Sequence, residues 1–180
     1  DHQGAWIDET AGLFPANERS RRRIAAEAAW TAFAMERDLP LVIFRLPGIY
    51  GPGRSALDAV RAGRARRIDK KGQVFNRMHV DDIAQVLAAS IARPEADALF
   101  NLADDEPSVQ HEVIDYACRL LGVAPPPLIA FEEAGLSEMA ASFYADNKRI
   151  RNDRMKEKLG IVLRYPSYRE GLDAIFAASG

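Results

Sequence analysis

Disulfides, metal clusters and membrane spans all lack raw material in this chain of 180 residues. Cys118 is its only cysteine, so no internal disulfide can form, and no Cys and His set has zinc spacing. Stability has to come from packing, and no metal is expected. No apolar run approaches the ~20 residues that cross a bilayer. The opening Asp1-His2-Gln3-Gly4 has neither the basic nor the apolar region of a signal peptide, so a cytoplasmic protein without membrane contact is expected. An excess of one charge is missing as well: 24 Lys plus Arg stand against 26 Asp plus Glu, a net charge of −2. That balance gives no global pull toward nucleic acid, and none is expected as a partner. Gly and Pro number only 12 and 10, which excludes collagen-like and low-complexity chains. No internal repeat occurs. No Gly-x-Gly-x-x-Gly or Walker loop follows a predicted strand, so the chain lacks a recognisable phosphate-binding turn.

What is present is a globular composition, 48% hydrophobic and 28% charged, of a length that suits a single domain over 1–180 burying about 70% of its unfolded surface. Asp1 to Glu18 reads as a loop. The Ala-rich run from about Glu18 to Arg37 predicts a helix apolar on nearly every face and packed on two sides. Leu41 to Leu46 is a continuous apolar run, suited to a central parallel strand covered on both faces. Pro47 to Arg54 alternates rigid and permissive residues, as expected of a shaped loop beyond a strand's carboxyl end. Open α/β sheets bind ligands at such ends. A helix is expected across Ala56 to Ala62, then a surface hairpin turning at Gly72. Asp81 can cap a helix bearing Ile83, Val86, Leu87 and Ile91, ended by Pro94. A strand over Ala98 to Ala103 leads to a helix capped by Ser108 and stopped by Gly122. Further helices are expected from about Ser137, from an Asn152 cap to Gly160, and from a Ser167/Glu170 capping box that buries Tyr168, Leu172, Ile175 and Phe176. Alternation of helix and strand that becomes mostly helical means α/β with a small helical appendage.

Arg19, Arg21, Arg22 and Arg23 cluster at a helix start. They read either as a solvated helix end with Asp8, Glu9 and Glu18 as partners, or as a phosphate contact. His79 beside Asp81 and Asp82 has no second His at ligand spacing and reads as a helix-start residue. Cys118 reads as buried filler, and the Trp30 and Phe33 pair as core or a helix-packing interface.

Several stretches resemble one family in order along the chain. Phe44-Arg45-Leu46-Pro47-Gly48-Ile49-Tyr50-Gly51-Pro52-Gly53 resembles the Arg-Pro-x-x-Tyr-Gly-Pro loop of extended short-chain dehydrogenase/reductases, the NAD-dependent epimerase/dehydratase family. Arg77-Met78-His79-Val80-Asp81-Asp82 is similar to its His-Val-Asp-Asp helix start, and Phe100 to Pro107 to its Asn-(Val/Leu)-x-Asp-x-x-Pro strand and turn. Asn147 to Ile150, Leu159-Gly160 and Tyr165 to Leu172 resemble the ending of an atypical subgroup.

The resemblance implies a partial Rossmann-type parallel sheet with a small, mainly helical substrate-side lobe, the C-terminal part of a longer protein. It implies NAD or NADP as cofactor of the intact parent, weakly bound or unbound here, and a small or nucleotide-linked substrate. The family's proton relay is a Tyr-x-x-x-Lys pair followed four residues later by Glu. Counting back from Glu27 places Arg23 at the Lys position and Arg19 at the Tyr position. Arginine keeps its proton, so these are positional equivalents; Arg23 retains the capacity to hydrogen-bond a ribose. Tyr50 is the remaining candidate phenol. Pro47, Gly48 and Ile49 would meet the nicotinamide amide, and Tyr50, Arg77 and His79 would lie on the substrate side, with a salt bridge to Asp81 or Asp82 as the alternative role of Arg77. Two functional expectations follow: an NAD(P)-dependent epimerase/dehydratase-like oxidoreductase, or a catalytically silent nucleotide-sensing or protein-interaction module of the same fold. Exposed strand edges make a homodimer an expected assembly.

Overall fold

The computed structural model describes residues 1–15, 17–93 and 98–179. Strand β1 (Trp6–Ile7) precedes helix α1 (Glu18–Arg37), strands β2 (Val42–Arg45) and β3 (Gly48–Tyr50), and helix α2 (Ala56–Arg61). Strands β4 (Arg67–Asp69) and β5 (Arg77–His79) lead into α3 (Val80–Ala92), β6 (Ala98–Asn101), α4 (Gln110–Leu121) and β7 (Leu128–Ala130). After a 3-10 turn come α5 (Glu138–Ser142), β8 (Arg149–Ile150), α6 (Asp153–Leu159) and α7 (Tyr168–Ala177). The expected stop of α3 at Pro94 lies outside the described residues.

All four strand pairs are parallel: β1 with β8, β2 with β6, β3 with β5 and β4 with β7. The α/β architecture expected from the sequence is present. Two local expectations fail. The stretch after Pro47 is strand β3 rather than loop, registered so that Gly48 faces Arg77 and Tyr50 faces His79. The turn at Gly72 exists, with a φ of 75° that glycine tolerates, but its flanks do not form a hairpin. Instead β4 pairs with the distant β7, and Phe75 bridges Ser108.

Three apolar clusters form the interior. One joins Met78, Ile83, Val86, Phe100, Met155 and Leu159 beneath the β2/β6 pair. A second joins Tyr50, Leu57, Val113, Ala117, Tyr168, Leu172 and Ile175 between α2, α4 and α7. The third, around Ile68, Ala134 and Tyr144, closes the small lobe. Cys118 is buried as expected. Helix α1 departs from expectation. Ala34 is its only buried residue among those described, and Trp30 is 61% exposed. Trp30 and Phe33 pack edge-on against each other at 6.0 Å, outside the core, because no other described element covers that face. Phe176 also stays exposed, while Tyr168, Leu172 and Ile175 are buried.

Caps separate local from tertiary signals. The Ser167/Glu170 box forms at the start of α7: Glu170 accepts from the Ser167 amide at 2.9 Å, and Ser167 Oγ accepts from the Arg169 amide at 3.1 Å. Three other expected caps are corrected. His79, not Asp81, caps α3, its Nδ1 accepting from the Asp81 amide at 3.2 Å. Val109 stands at the cap of α4 because Ser108 is drawn to Arg77, its Oγ accepting from Nη1 at 2.7 Å. Asn152 makes no cap bond and donates to the Ala103 carbonyl at 2.9 Å.

Candidate functional site

The turn Gly51-Pro52-Gly53-Arg54 follows β3 directly. Arg54 and Gly51 exchange backbone hydrogen bonds at 3.0 and 3.2 Å, and Gly53 takes a φ of 75°, the geometry Pro-Gly turns supply. Ser55 then caps α2 through a box with Asp58, whose carboxylate accepts from the Ser55 amide at 2.8 Å. Between this turn, α2, β5, α4 and α7 lies a cavity of about 350 Å³, within the range of small-molecule sites. Its apolar wall is Tyr50, Val113, Ile114, Tyr168 and Leu172, and its polar wall includes Arg54, Arg64, Arg77, Asp58 and Gln110.

Arg77 is the fixed member of that wall. Its Nη1 donates to the Phe75 carbonyl at 3.0 Å, to the Ser108 carbonyl at 3.3 Å and to Ser108 Oγ at 2.7 Å, and its Nη2 donates to Gln110 Oε1 at 3.0 Å. Every one of these acceptors is neutral. Of the acids of the region, Asp115 pairs with Arg67, Glu106 with Arg169 and Asp105 with Lys156, Asp58 serves the Ser55 cap, and Asp104 Oδ2 has no hydrogen-bond partner. Among the described residues no carboxylate pairs with Arg54, Arg64 or Arg77, including the Asp81 and Asp82 considered as partners of Arg77. Burial lowers the Arg77 pKa from its ordinary value, opposed chiefly by Asp104. Arg54, Arg64 and Arg77 thus place three guanidinium groups around one cavity, whose wall also carries Asp58.

Tyr50 and His79 lock this region in place rather than offering free chemistry. The Tyr50 hydroxyl donates to the Ser167 carbonyl at 3.3 Å, and its ring meets His79 edge-on at 5.1 Å. Burial pushes the phenol pKa upward, with Asp104 and Asp82 adding to the shift. A phenol held protonated in this way is a poor proton acceptor. Its ring still borders the cavity. His79, expected on the substrate side, is 2% exposed and lies between Tyr50 and Tyr165. Burial lowers its pKa, so it is a neutral capping residue. Asp82, fully buried one turn into α3, accepts from the Arg164 and Tyr165 amides at 2.8 and 3.1 Å. The His-Val-Asp-Asp stretch thus fastens the segment before α7.

The residues expected on the cofactor side are not gathered at this cavity. Arg19 and Arg23 border a separate concavity with Glu18 and Arg22. Glu18 pairs with Arg21 and Arg22, and the Arg19 guanidinium lies 4.8 Å from the centre of the Phe143 ring. Glu27, four residues after Arg23, is ion-paired with Arg45 at 2.6 Å. Gly48 donates to the Asn76 carbonyl at 3.1 Å, and Pro47, Gly48 and Ile49 border neither concavity. The residues present do not by themselves enclose a dinucleotide. The sequence singles out neither Arg54, Arg64 nor Gln110, and Ser108 only as a helix cap. Only the Pro-Gly turn before Arg54 hinted at them, since the cavity's walls come from segments far apart in the chain.

Among the described residues, no helix is long and apolar enough to cross a membrane, and no group of three or more His, Cys, Asp or Glu is placed to hold a metal ion.

No protein-family model matches the chain, and no curated protein matches it. Solved structures do. A functionally unknown conserved protein from Silicibacter pomeroyi DSS is 54% identical with a TM-score of 0.93, the match covering 99% of this chain and 62% of that one. MoeE5, solved with UDP-glucuronic acid and NAD, is 21% identical with a TM-score of 0.78, covering 97% and 59%. The dTDP-glucose 4,6-dehydratase from Bacillus anthracis str. Ames, solved with NAD, is 16% identical with a TM-score of 0.70, covering 97% and 57%. The chain therefore spans between 57% and 62% of the length of these proteins. Its fold is of the Rossmann type.

Proposed function

We propose that the chain belongs to the NAD-dependent epimerase/dehydratase family and forms the substrate-side part of an NAD(P)-dependent oxidoreductase acting on a nucleotide-linked substrate. The observation that carries this reading is the cavity in which Arg54, Arg64 and Arg77 stand without carboxylate partners beside the apolar wall of Tyr50, Tyr168 and Leu172. Such a wall suits a sugar or nucleoside face, and the arginines suit a diphosphate. The fold shared with proteins solved with UDP-glucuronic acid or NAD supports it. In this reading the dinucleotide is held mainly by a Gly-rich half outside the 180 residues, with Arg23 and Pro47 to Ile49 facing its nicotinamide end. Titrating the chain with a UDP-sugar tests the cavity: saturable binding is expected, weakened about tenfold or more by Arg77→Ala. Absence of binding, or binding indifferent to Arg77, rejects it.

A second reading is favoured by Arg19 and Arg23, which occupy the positions of the family's Tyr and Lys. It is a catalytically silent nucleotide-sensing or interaction module with the same site. Nicotinamide turnover by the parent protein with UDP-sugars separates the two. Turnover in the unsubstituted protein rejects the silent reading, and binding of both ligands without turnover supports it.

A further inference from the structure

We propose that the buried Asp104 carboxyl is the proton-linked counterpart of the Arg77 anion site, taking up a proton when an anion docks and opposing the anion when ionised. This rests on the cavity being an anion site and adds a control to it. Asp104 follows β6 in a tight turn and is bound to Arg77 through the backbone, its amide donating to the Arg77 carbonyl at 2.7 Å. Its side chain is 2% exposed. Oδ1 accepts from the Glu106 amide at 3.3 Å, while the buried Oδ2 has no hydrogen-bond partner. Four residues on, Ser108 holds the Arg77 guanidinium. One turn therefore carries both the clamp on the arginine and a carboxyl with an unmet acceptor.

The charges around Asp104 single it out. On its own turn, Asp105 is paired with Lys156 of α6, and Glu106 with Arg169 of α7. Tyr50 on β3 faces it as a neutral phenol, and Arg77 on β5 is the cation acting on it. Burial favours the neutral acid, Arg77 and the Glu106 amide favour the carboxylate, and burial, helped slightly by the Asp105 and Glu106 charges, prevails, pushing the carboxyl up to about 8. An anion at Arg77 offsets the one cation that draws the proton off. The carboxyl then holds its proton more firmly, and by reciprocity a carboxylate that has lost it weakens anion binding.

A dimethyl diester of pyrophosphate, whose own charge is constant from about pH 6 to about pH 9, is the probe. For the unsubstituted chain the dissociation constant should rise up to about tenfold between about pH 7 and about pH 9, as one ionisation shifted by about one pKa unit requires. Calorimetry near pH 8 in buffers of different ionisation enthalpy should show net proton uptake. Asp104→Asn should bind with neither the slope nor the uptake. In the unsubstituted chain, the Asp104 carboxyl carbon followed by NMR should titrate near pH 8, with its midpoint moving up as the diester is added; this needs no variant to fold. A pH-independent affinity, proton uptake that survives Asp104→Asn, or a midpoint unmoved by the diester overturns the proposal and leaves the anion site standing. If the diester does not bind, or binds equally well to Arg77→Gln, the anion site itself is rejected and the proposal with it.

Discussion

The Tyr50 ring lies so close to the Cα of Gly171 that a β-carbon added there would sit 2.7 Å from both Cε2 and Cζ, and nearer still to the hydroxyl oxygen. Gly171 is the fourth residue of α7, where alanine should stabilise a helix by about 1 kcal/mol. The contact reverses that sign, because overpacking costs about 1–3 kcal/mol and Tyr50 is held by both His79 and the Ser167 carbonyl. Gly171→Ala should therefore destabilise the chain by urea denaturation. Pairing it with Tyr50→Leu should recover at least 0.5 kcal/mol relative to additive losses, about the smallest coupling expected of residues in contact.

Asp82 holds two amides of the segment leading to α7 from inside α3. Asp82→Ala leaves the Arg164 and Tyr165 amides without their acceptor, and charged hydrogen bonds of this kind suggest a loss of about 3–5 kcal/mol. Hydrogen exchange should report it selectively, with the Arg164 and Tyr165 amides losing protection before those of the β2/β6 pair.

Two buried groups give stability a pH dependence of opposite sign. Burial lowers the folded-state pKa of His79 below 6.5, so its contribution is present above that value and is lost on acidification below it. Asp104 is raised from 3.8 to about 8, so its contribution is largest below 3.8 and declines as pH climbs to about 8. As pH rises from 6.5 to about 8 the His79 effect dies away and the Asp104 effect takes over, at no more than about 1.4 kcal/mol per pH unit. Denaturant midpoints should fall across that window in the unsubstituted protein and flatten in Asp104→Asn. The same variant should reveal the His79 loss below pH 6.5, which His79→Asn, an N-cap-competent replacement, should abolish.

Cys118 is 1% exposed, and burial raises its thiol pKa. Ellman's reagent should not react with it in the folded chain, and the labelling rate under mild denaturant should follow global unfolding. Labelling at the rate of an unstructured thiol in native buffer would show that α4 opens on its own.

The elements legible in the sequence are those whose cause is local. Ser167 and Glu170 are three residues apart, and their box forms as spacing requires. The Ala-rich run gives α1 with its predicted ends, although its expected cover is missing. Ser108 and Asn152 show the limit, since a polar side chain before a helix looks like a cap whether it serves its own helix or reaches elsewhere. Ser108 serves Arg77, and Asn152 the Ala103 carbonyl. The segments flanking Gly72 likewise read as a hairpin because pattern shows strand character, not partner. The candidate site was half legible: Tyr50 and Arg77 were named and do border the cavity, whereas Arg54, Arg64 and Gln110 come from helix ends and turns that no spacing rule connects.

The parallel pairings also determine how the chain must fold. Trp6 meets Arg149, Arg67 meets Leu128, Val42 meets Ala98 and Gly48 meets Arg77. No strand pair is joined by a tight turn, so each requires a long loop to close before its hydrogen bonds can form. Helices such as α4 and α7 can form early, but the sheet must wait for distant segments to meet, which places this chain among slow folders. The pairing of β1 with β8 closes the longest loop of the four and so carries the largest closure entropy among them.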